Sequence, residues 1–107
     1  MRLALMLTIF SIMAACSSKE AALPLDEAKM VEMLVDVHFI EAAMQEMPGS
    51  LRDSIGTVFY EQFFTIHNVS AADFNQSLNM LRENPARMSK LYAKVLAKLE
   101  EREKEVD

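Results

Sequence analysis

This 107-residue chain has one cysteine, two glycines, three prolines and no tryptophan. With a single cysteine, Cys16, there can be no internal disulfide, no cysteine-based metal cluster and no CxxC redox pair. Few glycines and prolines leave little material for tight turns, and no run of residues alternates apolar with polar as a half-buried strand would. The longest apolar run, Leu3 to Met13, falls well short of the roughly 20 residues needed to span a bilayer core. Basic charge is also scarce, with 11 Lys and Arg against 16 Asp and Glu, a net charge of −5. Nucleic acid is therefore not an expected partner, because neutralising phosphates takes a basic surface.

What is present begins at the N-terminus. Met1-Arg2 precedes the apolar run, and Met13-Ala14-Ala15-Cys16 follows it, ahead of the polar Ser17-Ser18-Lys19-Glu20. Small residues at the end of such a run mark a secretory cleavage site. A cysteine directly after Ala-Ala resembles a bacterial lipobox, with Met13 where leucine is more usual. The expectation is a signal peptide over residues 1–15, a lipidated Cys16 with a tether to residue 25, and a helical domain over 26–107. Without Arg2, ten basic side chains face sixteen acidic ones, a net charge near −6. Acyl chains such as palmitate on the cysteine sulfur and amine would supply more than the two signals that stable membrane attachment needs. Ser17, by analogy with sorted lipoproteins, points to the outer membrane, on its periplasmic face or at the cell surface.

The remainder reads as helices. Asp26 is a candidate N-cap with Glu27 in the first turn, and the pattern runs to Met47 before Pro48-Gly49 stops it. Met30, Met33, Leu34, Val37, Ile40, Met44 and Met47 recur at helical spacing, and Val31, Val35 and Ala42 widen the apolar arc. So apolar a helix is expected at the centre of the domain. A second helix spans about Ser50 to His67, with Leu51, Ile55, Val58, Phe59, Phe63 and Ile66 as its predicted core face and His67-Asn68 as its C-terminal cap. Gly56 inside it points either to a tolerated residue or to close helix contact. Ser70-Ala71-Ala72-Asp73 opens a third helix as a capping box, and Asn84-Pro85 opens a fourth, whose charged tail from Glu100 is expected to fray. The fold class is all-α, a small three- or four-helix bundle.

Three groups of residues carry candidate chemistry or binding. Glu41 projects into the apolar arc, flanked by His38 and Gln45, and a carboxylate there needs hydrogen bonds or a counter-charge. A structural role, such as accepting from a tyrosine, is the simpler reading; a metal or ligand site on His38 and Glu41 is the other, since residues three apart share a helix face. Carboxylate-bridged two-metal bundles repeat Glu-x-x-His, whereas this chain has one reversed copy, so no metal is assigned. Asp36 lies nearly opposite His38 and belongs to a different side. His67 with Ser70 or Ser77 is better read as capping than as a nucleophile pair. Tyr60 and Phe64 lie away from the predicted core face, either in a second layer or as anchors for a partner. Arg87, Lys90, Lys94, Lys98 and Arg102 form a basic stripe, read as a solvated face with attraction to anionic lipid as the alternative. The six methionines beyond the leader fill a core or line an adaptable groove. Phosphate-binding glycine loops, G-x-S-x-G and HExxH are all missing, and neither an enzyme nor a cofactor is expected.

Asp36-Val37-His38-Phe39-Ile40-Glu41-Ala42 resembles the Asp-x-His-x-x-Glu-Ala signature of a Bacteroidetes family of small lipoproteins known only as a domain of unknown function. The resemblance continues through His67-Asn68-Val69-Ser70, Phe74 with Ser77-Leu78, Asn84-Pro85, and Leu91-Tyr92 with Val95, covering about Pro24 to Leu99. Family members tend to carry aromatics in place of Met80 and Leu81, and glycine in place of Asn68. The resemblance implies a helical envelope lipoprotein and singles out Asp36, His38 and Glu41, but brings no activity. The combined expectation is a non-catalytic envelope lipoprotein acting as an interaction or assembly module with an envelope protein partner. The alternatives are a chaperone-like peptide holder and a metal- or ligand-binding bundle on His38 and Glu41.

Overall fold

A computed structural model describes residues 20–106, so the expected signal peptide and Cys16 lie outside the described residues. Four helices follow in order: α1 (Glu27–Gln45), α2 (Gly49–His67), α3 (Ala71–Arg82) and α4 (Pro85–Val106). Among the described residues there is no strand, and no helix is long and apolar enough to cross a membrane. The protein is an all-α helical bundle.

The helix boundaries follow from local chemistry. Asp26 caps α1 by accepting from the Lys29 amide at 2.7 Å, and Ser70 caps α3 by accepting from the Asp73 amide at 3.1 Å. Asn84 does the same for α4, accepting from the Arg87 amide at 3.2 Å. Asn68 ends α2 in the left-handed region, with φ 53° and ψ 46°. Glycine and asparagine are the residues that best tolerate this conformation, which accounts for an asparagine at the end of α2. Pro48 separates α1 from α2, and Arg52 then reaches back to donate to the carbonyls of Met44 (3.0 Å) and Met47 (3.1 Å). Both carbonyls lie at or just past the C-terminal end of α1, where a guanidinium complements the helix dipole.

The core is centred on the first half of α1. Met30, Val31, Met33, Leu34 and Val35 are all buried, and they pack with Phe63, Phe74, Leu81, Leu91 and Val95. Burying nearly every position of a helical stretch requires neighbours on several sides. Here α1 packs on both α2 and α4, while α3 packs on α4. The expectation of a fully central helix fails beyond Val37. Ile40, Met44 and Met47 are only half-buried and Ala42 is exposed, because two paired helices cover only one another's facing sides.

Two further expectations are corrected. The inner face of α2 is Gly56, Tyr60, Phe63, Phe64 and His67, while Val58 and Ile66 are exposed. Aromatic packing decides this rotation: Phe63 and Phe64 both meet Phe74 with ring centroids 5.7 Å apart, and Phe63 also stacks on His67 and Tyr60. The segment before α1 is not a free tether over its whole length. From Glu20 onward it is docked, with Leu23 and Leu25 against the core and the Leu25 amide donating to the buried Ser77 hydroxyl at 3.2 Å. The charged tail from Glu100 remains helical to Val106.

Candidate functional site

The second half of α1 and the length of α2 run as an antiparallel hairpin held by three contacts. Nearest the turn, the Met44 side chain lies over Gly56, where an added Cβ would sit 2.9 Å from the methionine methyl. Next, the Tyr60 hydroxyl donates to Glu41. Furthest along, His67 Nε2 meets Asp36 Oδ2 at 2.7 Å. Each step back along α1 is matched by a step forward along α2. That register puts Glu41 opposite Tyr60 and Asp36 opposite His67.

The residues Asp36, His38 and Glu41 therefore do not form one cluster. Asp36 accepts from His67 and also from Arg102 of α4, at 3.2 Å. His38 is exposed and meets the Tyr92 ring edge-on at 6.0 Å. Glu41 holds Tyr60, the structural role anticipated for it, but the carboxylate is exposed rather than enclosed by the apolar arc. Gln45 is exposed at the end of α1. The three side chains thus meet different neighbours: Asp36 meets His67 and Arg102, His38 meets Tyr92, and Glu41 meets Tyr60. Among the described residues, no three His, Cys, Asp or Glu side chains converge as a metal would require.

Tyr60 shows the electrostatic consequence. Burial, the hydrogen bond it donates to Glu41 and the nearby negative charge together push its phenol up from 10.0 to about 12. Each cause disfavours the phenolate, so the proton that bridges α1 and α2 is held more tightly than in a free tyrosine.

Beside the Asp36–His67 contact lies an open groove of about 350 Å³ between α1 and α2. Phe39, Ile40, Phe59, Phe63 and Ile66 supply most of its walls, and Asp36 and His67 close one end. Ile66 is 78% exposed and Phe39 48% exposed, so the rim presents large apolar side chains to solvent. Arg102 lies over the Phe39 ring, 5.6 Å from its centroid, and so leaves the basic stripe of α4 to join this site. Tyr60 and Phe64, the aromatics considered as partner anchors, pack inward instead. Sequence reasoning missed Phe59 and Ile66 as surface residues and His67 as Asp36's partner. Counting outward from Pro48 along an antiparallel hairpin sets Asp36 opposite Tyr60, so its contact with His67 is fixed only by how the two helices pack.

The methionines do not line the groove. Met30 and Met33 are fully buried, and Met44, Met47, Met80 and Met88 are half-buried.

No curated protein and no solved structure matches this chain. A family model described as a domain of unknown function (DUF4296) matches residues 23–105, nearly the whole helical body including the docked segment before α1, and the chain belongs to that family.

Proposed function

We propose that this protein is a lipid-anchored, non-catalytic module of the cell envelope that binds a partner protein in the groove between α1 and α2. The observation that carries the reading is the groove itself. It is walled by large apolar side chains, two of them well exposed and side by side with a buried ion-pairing histidine. Apolar rims of this kind mark contact surfaces more often than catalytic ones when no set of converging acid, base and nucleophile accompanies them.

Charge says what the partner carries. Between Glu27 and His67 there are seven acidic side chains and two basic ones, a net charge of −5 on the hairpin alone. The occupant is accordingly an apolar segment flanked by Lys or Arg, steered in by the acidic surround. Aromatic and aliphatic anchors such as Phe39 and Ile66 supply the contact energy. None of the six methionines lines this groove, which favours the interaction reading over a chaperone-like one built on a methionine groove.

The anchor rests on the lipobox-like Met13-Ala14-Ala15-Cys16 and the apolar run before it. Labelled palmitate is expected to enter the protein, and Cys16→Ala to release it from the membrane fraction. The groove is tested separately, by placing a photo-cross-linking residue at position 62 in intact cells and sequencing the captured peptide. A basic, apolar peptide of an envelope protein is expected, and Ile66→Lys is expected to abolish its capture without unfolding the domain. Capture that is indifferent to Ile66→Lys refutes the groove as the binding surface.

A further inference from the structure

The docked segment before α1 ends beside a row of lysines. Arg87, in the first turn of α4, donates to the Ala21 carbonyl at 2.6 Å and pairs with Glu27 (3.0 Å) and Glu20 (3.5 Å). Cys16 lies four positions before Glu20, so it is within roughly 14 Å of that point even if the link is fully extended. Continuing along the same stripe of α4 from Arg87 come Lys90, Lys94 and Lys98, one turn apart and spanning, with Arg87, roughly 17 Å. All three lysines are exposed, and among the described residues none forms an ion pair. Lys94 and Lys98 border Ala28 and Val31 of α1, which places the row on the surface where the docked segment enters α1.

Helix stability does not account for this row. Lysines four apart repel one another, and cations are favoured at a helix's C-terminus rather than in its first turns. Here the cations begin in the first turn, at Arg87, and run through Lys98, while the tail beyond them is mixed, with Glu100, Glu101, Glu103 and Glu105 beside Arg102 and Lys104. The nearby acids, Glu20 and Glu27, are engaged by Arg87, and Glu32 is engaged by Lys29 at 3.8 Å.

We infer that Lys90, Lys94 and Lys98 form a contact surface for anionic phospholipid head groups, laid against the membrane by the docked segment that leads to Cys16. The inference rests on the anchor proposed above. The small Ala28 of α1 and Ala97 border Lys94 and Lys98, and both lysines stay exposed. A short link then makes the attraction intramolecular, so three lysines are enough to set the orientation of the domain without holding it to the membrane alone.

The test uses the full-length lipidated protein added to vesicles of phosphatidylcholine alone, or of two parts phosphatidylcholine to one part phosphatidylglycerol. Flotation reports attachment, and amine labelling read by mass spectrometry reports exposure of each lysine, with Lys104 as reference. Attachment to both vesicles is expected. Labelling of Lys90, Lys94 and Lys98 is expected to be about threefold slower on the anionic vesicles only, with protection lost in about 0.5 M salt. Attachment to both vesicles with equal labelling overturns the lysine surface and leaves the anchor standing. Protection that is the same on neutral vesicles overturns it too, because the row is then covered by protein rather than by anionic lipid. Flotation with neither vesicle overturns anchor and surface together.

Discussion

Removing the Asp36 carboxylate tests which of its two partners matters. The His67 side chain is 6% exposed and its Nε2 meets Asp36 at 2.7 Å, whereas Arg102 is 43% exposed and sits at 3.2 Å. Asp36→Ala leaves a buried ring nitrogen facing only the groove, a loss of about 1–3 kcal/mol; water entering the groove from outside keeps it near the lower end of that range. Losing the exposed contact with Arg102 costs about 0.5 kcal/mol, because solvent and salt screen it and the guanidinium keeps the Phe39 ring. The assay is urea unfolding of Asp36→Ala, His67→Ala, Arg102→Ala and the two double variants with Asp36. The Asp36–His67 coupling energy is expected to reach about 1 kcal/mol, and the Asp36–Arg102 coupling to stay under about 0.5 kcal/mol and fade in salt. For a domain this size, about 1.5 kcal/mol corresponds to roughly 6–12 °C in Tm. A His67 coupling no larger than that of Arg102 refutes the reasoning that burial sets the value of this pair.

Two further outcomes follow from the same seam. Tyr60 keeps its proton to about pH 12 when folded but releases it near 10.0 when unfolded, so the stability it adds is complete below pH 10 and is lost as pH rises toward 12. Tyr60→Phe is expected to cost about 1 kcal/mol at neutral pH and to flatten that alkaline loss in a pH series of melting curves. Gly56→Ala gains up to about 1 kcal/mol of helix propensity against the displacement of one flexible methyl of Met44, and a raised Tm is expected. A lowered Tm would mean that close approach of the helices, not the methionine, fills that space.

Helix positions were legible because their signals are local. Asp26, Ser70 and Asn84 cap by bonding amides three residues away, and Pro48 and Asn68 act on their own backbone. The facing of α2 was not legible. Its apolar residues run almost all the way round, so two inward faces were about equally apolar by sequence, and stacking of Phe63 and Phe64 on Phe74 chose between them. The same rotation turned Tyr60 inward to Glu41 and Ile66 outward to solvent. The family resemblance, carried by its short motifs, named Asp36, His38 and Glu41 without saying what they touch.

Amino-acid order alone thus determined where helices start and stop, an acidic body with a basic row on the last helix, and an apolar run that precedes the one cysteine. Those properties depend on neighbours a few residues apart or on composition, which no folding step can change. Tertiary structure decided that Asp36 binds His67, that a groove opens beside them, and that the chain from Glu20 is docked at Arg87. Each of these joins residues at least 16 positions apart, and such pairings are set by how the helices rotate and pack against one another.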